Sequence, residues 1–371
     1  MNQILVLGGG KIGGTVAALL HGSGDYRVTV ADRDAAHMDS LARGVGREVA
    51  DLSDPQALDR LMVGRFAVIS AAPYHLTTRI ASAAKNAGAH YLDLTEDVAS
   101  TRAVRALAQG AQTAFVPQCG LAPGFISIVG HDLAGRFDTL QDVRMRVGAL
   151  PVYPSNALSY NLTWSTEGLI NEYCEPCEAI VNGERRDTTP LEELESFALD
   201  GVTYEAFNTS GGLGSLSETL AGRVRNLNYR TIRYPGHAAI MKLLLNDLGL
   251  RNRRDILKEI LESNIPETQQ DVVVIFVTVS GARQGRLMQE TYAHKVYAGE
   301  FRGVSMSAIQ ATTACSVCAV LDLLAHDDIP GKGLVRQEEI GLAAFLDNRF
   351  GRVYARAEDR PLSGHKLEAA A

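Results

Sequence analysis

A glycine-rich segment near the N-terminus has the spacing needed to hold a diphosphate group. Gly8, Gly10 and Gly13 form a G-x-G-x-x-G pattern, which also contains Lys11 and Ile12, between an apolar strand pattern and a helical pattern. Glycine at these positions permits a tight turn, close approach of the backbone to a pyrophosphate and close helix packing, and the helix N-terminus favours the phosphate charge. The segment predicts a dinucleotide-binding βαβ unit, and a glycine turn that binds no cofactor is the alternative.

The type of dinucleotide depends on two residues at the end of the next strand pattern. Asp32 follows Gly13 by 19 positions, where a carboxylate accepts hydrogen bonds from the adenosine ribose hydroxyls and repels a 2′-phosphate. Arg33 argues in the other direction, because a guanidinium at this place accommodates that phosphate. We therefore expect NAD as the cofactor and keep NADP as the alternative.

Three further strand patterns end in polar or small residues, at the edge where ligands collect in a parallel sheet. Asp51 follows the first and is expected near the adenine or, equally, as the cap of the next helix. The second ends in small residues that leave room beside the nicotinamide ribose. Asp93 and Glu96 follow the third, at the crevice. The residues of the second strand end are Ser70, Ala71, Ala72 and Pro73.

The elements that must position these residues alternate along the first part of the chain. Strand and helix patterns joined by short polar segments are the signature of a parallel sheet covered on both faces. Right-handed crossovers make it an α/β doubly wound Rossmann sheet. The predicted strands cover residues 4–7, 27–31, 47–50, 66–70, 91–94 and 114–116, and the predicted helices cover 15–20, 35–42, 55–62, 76–86 and 98–109.

A different pattern begins near residue 142 and predicts a second, α+β domain. Val143, Met145 and Val147 alternate with arginines, which suits a sheet with one wet face. The long strands that follow could pair across subunits, so we expect a homodimer or homotetramer. Further strands are predicted over residues 158–164, 272–279 and 287–297, the last two as a hairpin with a loose turn, and a helix is predicted over 307–325.

These patterns divide the chain into four segments. Residues 1–125 form the NAD-binding Rossmann domain, and residues 126–304 form the α+β domain for substrate binding and association. Residues 305–350 form a C-terminal helical segment that returns to the first domain, and residues 351–371 form a tail whose last six residues are consistent with cloning residues.

Composition excludes several classes of protein. The chain has 371 residues, a formal net charge of −7 and 46% hydrophobic residues, which is enough for two buried cores. The acidic balance disfavours a nucleic acid partner, because such binders usually carry a basic patch. No apolar run approaches the ~20 residues of a membrane span, and no secretory pattern precedes the first strand. We therefore expect a cytoplasmic protein with neither a nucleic acid nor a membrane as partner.

The cysteines have a spacing that invites a metal or redox interpretation. They include two C-x-x-C pairs, but the pairs lie much farther apart than the halves of a compact zinc site, and no H-x3-5-H completes either pair. We therefore expect reduced thiols and no metal. The five cysteines are Cys119, Cys174, Cys177, Cys315 and Cys318.

Six short segments match a known family of dehydrogenases. They are the glycine fingerprint with its Asp32-Arg33 pair, residues 90–96 (HYLDLTE), 119–124 (CGLAPG), 163–170 (TWSTEGLI), 205–213 (EAFNTSGGL) and 229–237 (YRTIRYPGH). The first three resemble the saccharopine dehydrogenase family as a whole, and the last three are similar to its lysine 6-dehydrogenase branch. Ala122 stands where saccharopine-forming enzymes commonly carry Asp, which argues against the bulkier saccharopine as substrate.

The resemblance implies an activity on a small amino acid. The expected reaction is NAD-dependent oxidation of the ε-amine of L-lysine to 2-aminoadipate 6-semialdehyde, which cyclises to piperideine-6-carboxylate, with release of ammonia and NADH. One alternative is a dehydrogenase for a secondary amine such as saccharopine or carboxynorspermidine. Another is a catalytically silent NAD-binding regulator.

This oxidation requires a base, because an ammonium group has no lone pair to stabilise the developing iminium. His237 is the leading candidate, since imidazole titrates near neutrality, and anchoring of its turn is the alternative. Glu167, at the start of a helix pattern, is a second candidate that could instead neutralise the α-ammonium or cap the helix. Asp93 is the third, with helix capping as an equal alternative.

Other residues are expected to hold the substrate. Arg233 can bind the α-carboxylate as a fork, with a surface ion pair as the alternative. Glu96 can bind the amine or act as acid or base, and Trp164 can form a wall for the lysine methylenes or belong to the core. Cys119 and Gly120 are expected to line the site through a close backbone approach.

Overall fold

A computed structural model describes residues 1–356 of the protein, and the first strand contains four consecutive apolar side chains. Ile4, Leu5, Val6 and Leu7 are fully buried, as expected for a parallel strand that helices cover on both faces. The elements of this domain are β1 (Asn2–Leu7), α1 (Lys11–Gly22), β2 (Tyr26–Asp32), α2 (Ala35–Asp39), β3 (Gly46–Val49), α3 (Pro55–Met62), β4 (Ala67–Ser70), α4 (Thr77–Ala87), β5 (His90–Asp93), α5 (Val98–Ala108) and β6 (Ala114–Val116).

These strands form one parallel sheet in the order β6-β5-β4-β1-β2-β3. The strand order reverses between β1 and β4, and dinucleotides bind at such a switch point. The sheet confirms the predicted Rossmann fold, and every predicted strand and helix of this domain is present, with unchanged bounds for α3 and β6 and shifted bounds for the others.

The second domain is built on a mixed sheet of eight strands that packs helices against one face. Its elements are α6 (Phe125–Ala134), β7 (Thr139–Pro151), α7 (Thr166–Cys174), β8 (Cys177–Val181), β9 (Glu184–Thr188), β10 (Glu195–Leu199), β11 (Val202–Asn208), α8 (Leu216–Thr219), β12 (Val224–Arg233), α9 (His237–Lys242), α10 (Arg254–Asn264), β13 (Asp271–Arg283), β14 (Arg286–Tyr297), β15 (Gly299–Phe301) and β16 (Val304–Met306). The main strand order is β10-β11-β12-β7-β13-β14, and β8 pairs with β12 and β9. The α+β domain is therefore confirmed.

The β13–β14 hairpin is present, but its turn is tight rather than loose. Pairing continues to Arg283 and Arg286, so only two residues connect the strands. Gln284 and Gly285 both have positive φ, at 51° and 72°, which is the combination of a two-residue type I′ turn.

The prediction of a strand over residues 158–164 is wrong. Leu158, Tyr160 and Leu162 do alternate inward and are buried. The one bridge to another extended segment is at Leu162, whose N–H donates to Pro266 O at 3.0 Å and whose carbonyl accepts from Thr268 N at 3.2 Å. The segment therefore has the side-chain period of a strand without a neighbouring strand that would complete a ladder.

The C-terminal part of the chain returns to the first sheet. It contains α11 (Ala308–Ala325), β17 (Gly333–Leu334) and α12 (Leu342–Asp347), and β17 pairs in parallel with β6 to become the seventh strand. Small side chains let α11 pack closely on α1, where Cys318 Sγ lies 3.9 Å from the carbonyl of Val16. With a mean hydropathy of 1.6, α11 is long and apolar enough to cross a membrane, but 78% of it is buried inside the molecule. The predicted tail lies largely outside the described residues.

A buried carboxylate joins this C-terminal part to β2. Asp322 accepts hydrogen bonds from the Tyr26 hydroxyl at 2.5 Å, from Asn348 Nδ2 at 2.8 Å and from Arg349 Nη2 at 2.6 Å. Burial opposes ionisation, but the bonds from Arg349, Tyr26 and Asn348 outweigh it and hold the pKa of Asp322 below its usual value.

Replacing Asp322 with asparagine is expected to lower the free energy of unfolding by about 2–3 kcal/mol, since charge-assisted hydrogen bonds are lost and a partly buried guanidinium loses a partner. The depressed pKa means that this stabilisation is present above pH 3.8 and is lost as the pH falls through the folded-state pKa. Urea denaturation at pH 7 measures the loss, with the exposed Asp328→Asn as the control. Equal stability of the two variants would contradict the prediction.

Candidate functional site

A cleft of ≈ 800 Å³ lies between the two domains, at the carboxyl ends of the strands of the first sheet. One wall consists of the glycine-rich loop after β1 and the segment after β4. The other consists of β7, β12, α7 and the first turns of α11. A volume in this range is typical of sites for cofactors and small substrates.

The glycine-rich loop leaves open space in front of the N-terminus of α1. Gly8 has a φ of 101°, and a Cβ atom there would lie 2.6 Å from the carbonyl oxygen of Ala71. A Cβ atom on Gly13 would lie 1.8 Å from the carbonyl oxygen of Gly8, whereas one on Gly10 would meet no atom within 4 Å. Lys11 and Ile12 complete the cleft-lining loop, whose open concavity fits a pyrophosphate.

Asp32 occupies the predicted place at the end of β2. Its Oδ2 accepts from Gly9 N at 2.6 Å and lies 3.1 Å from His37 Nδ1, and its Oδ1 accepts from Asp34 N at 2.9 Å. Burial raises its pKa, but the hydrogen bonds from Asp34, Gly9 and His37 outweigh this effect and hold the pKa below its usual value. The carboxylate is therefore charged and retains a lone pair on Oδ1 for a ribose hydroxyl.

The ends of the neighbouring strands β3 and β4 carry the other residues predicted to contact the cofactor. Asp51 does not cap α3, because that position belongs to Asp54, and Asp51 Oδ1 instead accepts from Ser53 N at 2.8 Å. The Ser53 hydrogen bonds and the nearby charge of Arg33 lower the pKa of Asp51, which is exposed. Ser70, the last residue of β4, is buried. The residues predicted to flank the cofactor all line the cleft, and they are Ser70, Ala71, Ala72 and Pro73.

Arg233 is the last residue of β12 and lies in the wall opposite the cofactor loop. It is only 2% exposed, yet it lines the cleft. Its Nε donates to the Tyr173 hydroxyl at 3.0 Å and its Nη1 donates to the carbonyl of Ile232 at 2.9 Å. Among the described residues, no carboxylate forms an ion pair with it, so the surface ion pair considered from the sequence is absent. A buried guanidinium without a carboxylate is costly, and this geometry favours an anionic ligand.

Five glutamates line the same cleft, and two of them, Glu96 and Glu172, are not exposed. Glu172 lies on α7 and is 8% exposed. Burial raises the pKa of Glu172 to about 8, with Arg233 lowering it and Glu96 raising it. Burial likewise raises the pKa of Glu96, in the segment after β5, and the charges of Asp97 and Glu167 add to the effect. Glu172 was not among the sequence-based candidates, although it interrupts the buried face of its helix.

Trp164 and Glu96 pack around a glycine of α7. A Cβ atom on Gly168 would lie 2.5 Å from the Trp164 ring and 3.0 Å from Glu96 Oε1, so only glycine permits this arrangement. Trp164 is half-buried and lines the cleft, as a wall residue would. Glu167 lies at the exposed rim, where its carboxylate is 3.8 Å from Lys258 Nζ. Ser165, not Glu167, caps the helix by accepting from Gly168 N.

The structure does not support His237 as the base. The ring is 1% exposed and does not line the cleft. Both nitrogens are occupied, with Nδ1 3.0 Å from the carbonyl of Leu158 and Nε2 3.0 Å from the Tyr173 hydroxyl. Burial and the charge of Arg233 lower the pKa of His237 to about 3, against the hydrogen bond to Leu158. The anchoring alternative describes this geometry.

Asp93 and Cys119 also lie behind the cleft wall rather than on it. Asp93 Oδ1 accepts from Gln118 N at 2.8 Å and from Thr95 N at 3.2 Å, which braces the turn that presents Gly120 to the cleft. Burial, opposed by these bonds, raises the pKa of Asp93 to about 6. Cys119 is fully buried and its thiol donates to Val116 O at 2.9 Å. Cys119 does not line the cleft, so the expectation that it lines the site is wrong, whereas Gly120 does line it.

The five cysteines are free thiols in the structure. Within residues 1–356, no group of three or more histidine, cysteine, aspartate or glutamate side chains is arranged to hold a metal ion.

Comparison with known protein families gives two adjacent matches. Residues 4–116 match the saccharopine dehydrogenase NADP binding domain, and residues 120–350 match the saccharopine dehydrogenase C-terminal domain. The two matches meet near the end of β6, where the first sheet gives way to the second domain.

Individual relatives are distant. The chain is 20% identical over 316 residues to the mitochondrial alpha-aminoadipic semialdehyde synthase of Rattus norvegicus, covering 79% of this chain and 33% of that protein. It is 25% identical over 179 residues to the NADP+, L-glutamate-forming saccharopine dehydrogenase of Saccharomyces cerevisiae, covering 45% and 40%. The chain thus spans well under half the length of these curated relatives.

A solved structure shares the whole architecture. The apo saccharopine dehydrogenase (L-Glu forming) from Saccharomyces cerevisiae superimposes with a TM-score of 0.78 over 93% of this chain and 96% of that one, at 18% identity. At this identity the likeness establishes the fold alone.

Proposed function

This chain belongs to the saccharopine dehydrogenase family, its first domain binds a nicotinamide dinucleotide, and from these premises we propose that it is an NAD-dependent L-lysine 6-dehydrogenase. The reaction converts the ε-amine of L-lysine into ammonia and gives 2-aminoadipate 6-semialdehyde, which cyclises to piperideine-6-carboxylate. The observation that carries the proposal is the buried guanidinium of Arg233, which faces a cleft lined by the carboxylates of Glu96 and Glu172.

The polar groups of the cleft match those of lysine, since an ammonium bound beside Glu172 would lower the raised pKa of that residue and ionise it. Arg233 offers a fork for one carboxylate, and the two glutamates offer partners for two amines. The other cations of the wall are already engaged, since Lys11 pairs with Glu267 and Lys258 lies against Glu167. A substrate with further carboxylates, such as saccharopine, would need another clamp, so this pattern favours lysine over a saccharopine-type secondary amine.

The two glutamates have different neighbours and therefore different proposed roles. The charge of Arg233 lowers the pKa of Glu172, which means that the two side chains are near each other. A substrate whose carboxylate is held by Arg233 would therefore have its α-ammonium beside Glu172. Glu96 follows β5, which pairs with β4, and the end of β4 is the segment expected to flank the nicotinamide. We therefore assign the α-ammonium to Glu172 and the reacting ε-amine to Glu96.

In this arrangement the residues of the chain prepare the amine for oxidation. Glu96 takes a proton from the ε-ammonium and leaves a lone pair on nitrogen, which the developing iminium requires. NAD, when bound, would supply the acceptor for a hydride from the ε-carbon. Water then adds to the iminium carbon and loses its two protons to solvent as the carbonyl forms, while Glu96 returns one proton to the nitrogen, the C–N bond breaks and ammonia leaves.

The direct test is the formation of NADH from L-lysine and NAD, followed by absorbance at 340 nm. Turnover of lysine with release of ammonia is expected, and turnover of another amine without lysine would overturn the substrate assignment. Reductive coupling of an aldehyde with an amine would favour the secondary-amine alternative. Binding of NADH without hydride transfer across an amine panel would favour a silent regulator.

The preference for NAD is expected to depend on the charge of Asp32. In Asp32→Asn, the affinity for NADH should fall about tenfold, because a charge-assisted hydrogen bond to the ribose is lost. The affinity for NADPH should rise, since the repulsion is removed and Arg33 lies nearby. Fluorescence titration with each reduced cofactor measures both effects, and Asp39→Asn, at the exposed end of α2, is the control. An unchanged ratio of the two affinities would contradict the assignment.

A further inference from the structure

The guanidinium of Arg233 is held by a chain of hydrogen bonds that runs away from the cleft into the second domain. Arg233 Nε lies 3.0 Å from the Tyr173 hydroxyl, which lies 3.0 Å from His237 Nε2. His237 Nδ1 lies 3.0 Å from the carbonyl oxygen of Leu158. All four residues of this hydrogen-bond chain are buried.

The chemistry of its two ends fixes the direction of every bond. A carbonyl oxygen can only accept, so His237 Nδ1 carries the proton that bonds to Leu158. His237 is neutral at neutral pH, so its Nε2 is an acceptor and must receive the hydroxyl proton of Tyr173. The Tyr173 oxygen then has its lone pairs directed to Arg233, whose Nε can only donate. Neither the Tyr173 hydroxyl nor the His237 ring can rotate without breaking its hydrogen bonds on both sides.

Aromatic rings enclose the same guanidinium. Its central carbon lies 5.0 Å from the ring centroid of Tyr160 and 5.9 Å from that of Tyr173. The His237 ring in turn packs against Tyr160, Tyr173 and Phe207. With Nε bonded to Tyr173 and Nη1 bonded to the carbonyl of Ile232, the N–H donors that remain are on the two terminal nitrogens.

We propose that Tyr173 and His237 are positioning residues that fix the guanidinium of Arg233 for one substrate carboxylate, so that the cleft selects amino acids over diamines. The inference rests on the proposed function for the identity of the substrate, but the hydrogen-bond chain can be tested without it. The chemical contrast is between L-lysine and cadaverine, which has the same chain of amines and methylenes but no carboxylate.

The first experiment compares Tyr173→Phe with the wild type. Removal of the hydroxyl should raise KM for lysine about tenfold, because a hydrogen bond to a charged group is lost. The kcat for lysine, and both kcat and KM for cadaverine, should change by less than about twofold. Tyr234→Phe is the matched control, since its hydroxyl donates to the carbonyl of Pro151 and not to Arg233. Equal losses for lysine and cadaverine would show a merely structural role and overturn the proposal.

The second experiment observes the chain directly by NMR of protein labelled with ¹⁵N-histidine and ¹⁵N-arginine. His237 should show one neutral tautomer with the proton on Nδ1 and no titration between pH 6 and 8, and the Arg233 Nε–H should exchange slowly. Tyr173→Phe should speed that exchange. A His237 that titrates in this interval or carries its proton on Nε2 would overturn the proposal whatever the activity. Absence of lysine turnover with this signature intact would overturn the substrate assignment alone.

Discussion

Replacing Glu96 with glutamine is expected to lower kcat for lysine oxidation by a factor of about 10²–10⁴, the usual contribution of a general base. Glutamine keeps the shape of the side chain and its place beside Gly168, but it cannot take the proton of the ε-ammonium. The affinity for NADH should remain, because Glu96 lies outside the glycine-rich loop. Stopped-flow measurement of NADH formation gives kcat, and cofactor fluorescence gives the affinity.

The pH profile sharpens this prediction. Burial and the neighbouring acidic charges raise the pKa of Glu96 above its usual 4.5, and the base must be ionised, so kcat/KM should rise with pH through that raised pKa. This rise of kcat/KM with pH should disappear in Glu96→Gln. Glu290→Gln on β14, which removes an ion pair with Arg136 outside the cleft, should keep both rate and profile. If Glu96→Gln retains the wild-type kcat, the role of Glu96 as base is wrong.

Replacing Arg233 with alanine is expected to raise KM for lysine by a factor of about 10–150, which corresponds to the 1.5–3 kcal/mol of a charge-assisted hydrogen bond. The physical reason is that the guanidinium is buried, faces the cleft and lacks a carboxylate partner among the described residues. Steady-state kinetics should show a smaller effect on kcat, since the contact is formed equally in the ground state and in the transition state.

Two further variants show whether Arg233 binds the substrate carboxylate through a bidentate contact or only through its positive charge. Arg233→Lys keeps the positive charge but loses bidentate geometry, so its KM should lie between those of the wild type and the alanine variant. Arg230→Ala, three residues earlier on β12, removes ion pairs with Glu193 and Glu195 and should leave KM near the wild-type value. A wild-type KM in Arg233→Ala would exclude the carboxylate clamp.

The first domain was predictable from sequence because its signals are local. Buried parallel strands give apolar runs, and the glycine spacing reports contacts between residues close in the chain, such as Gly13 with Gly8. The order of elements then leaves few topologies. The second domain was predictable only as a class, and the segment at 158–164 failed because strand formation depends on a distant partner.

The candidate site was only partly predictable for the same reason. Arg233 and Glu96 lie in the cleft as expected, but His237 and Cys119, from equally suggestive motifs, point into the interior. The direction of a side chain relative to a cleft depends on how two domains pack, which motif spacing does not contain. Glu172 offered one overlooked signal, since a glutamate between Leu169, Ile170 and Tyr173 on the buried face of a helix requires an explanation.

The return of the C-terminal segment to the first sheet has a consequence for how the protein is made. The last strand to join that sheet is β17, and α11 is the helix that covers α1. Both are encoded after the entire second domain. During synthesis, the apolar face of α1 therefore stays uncovered until α11 has left the ribosome. Long delays between the two halves of a core expose surface that invites association with other chains. The two domains are consequently committed to maturing together, although each has its own sheet.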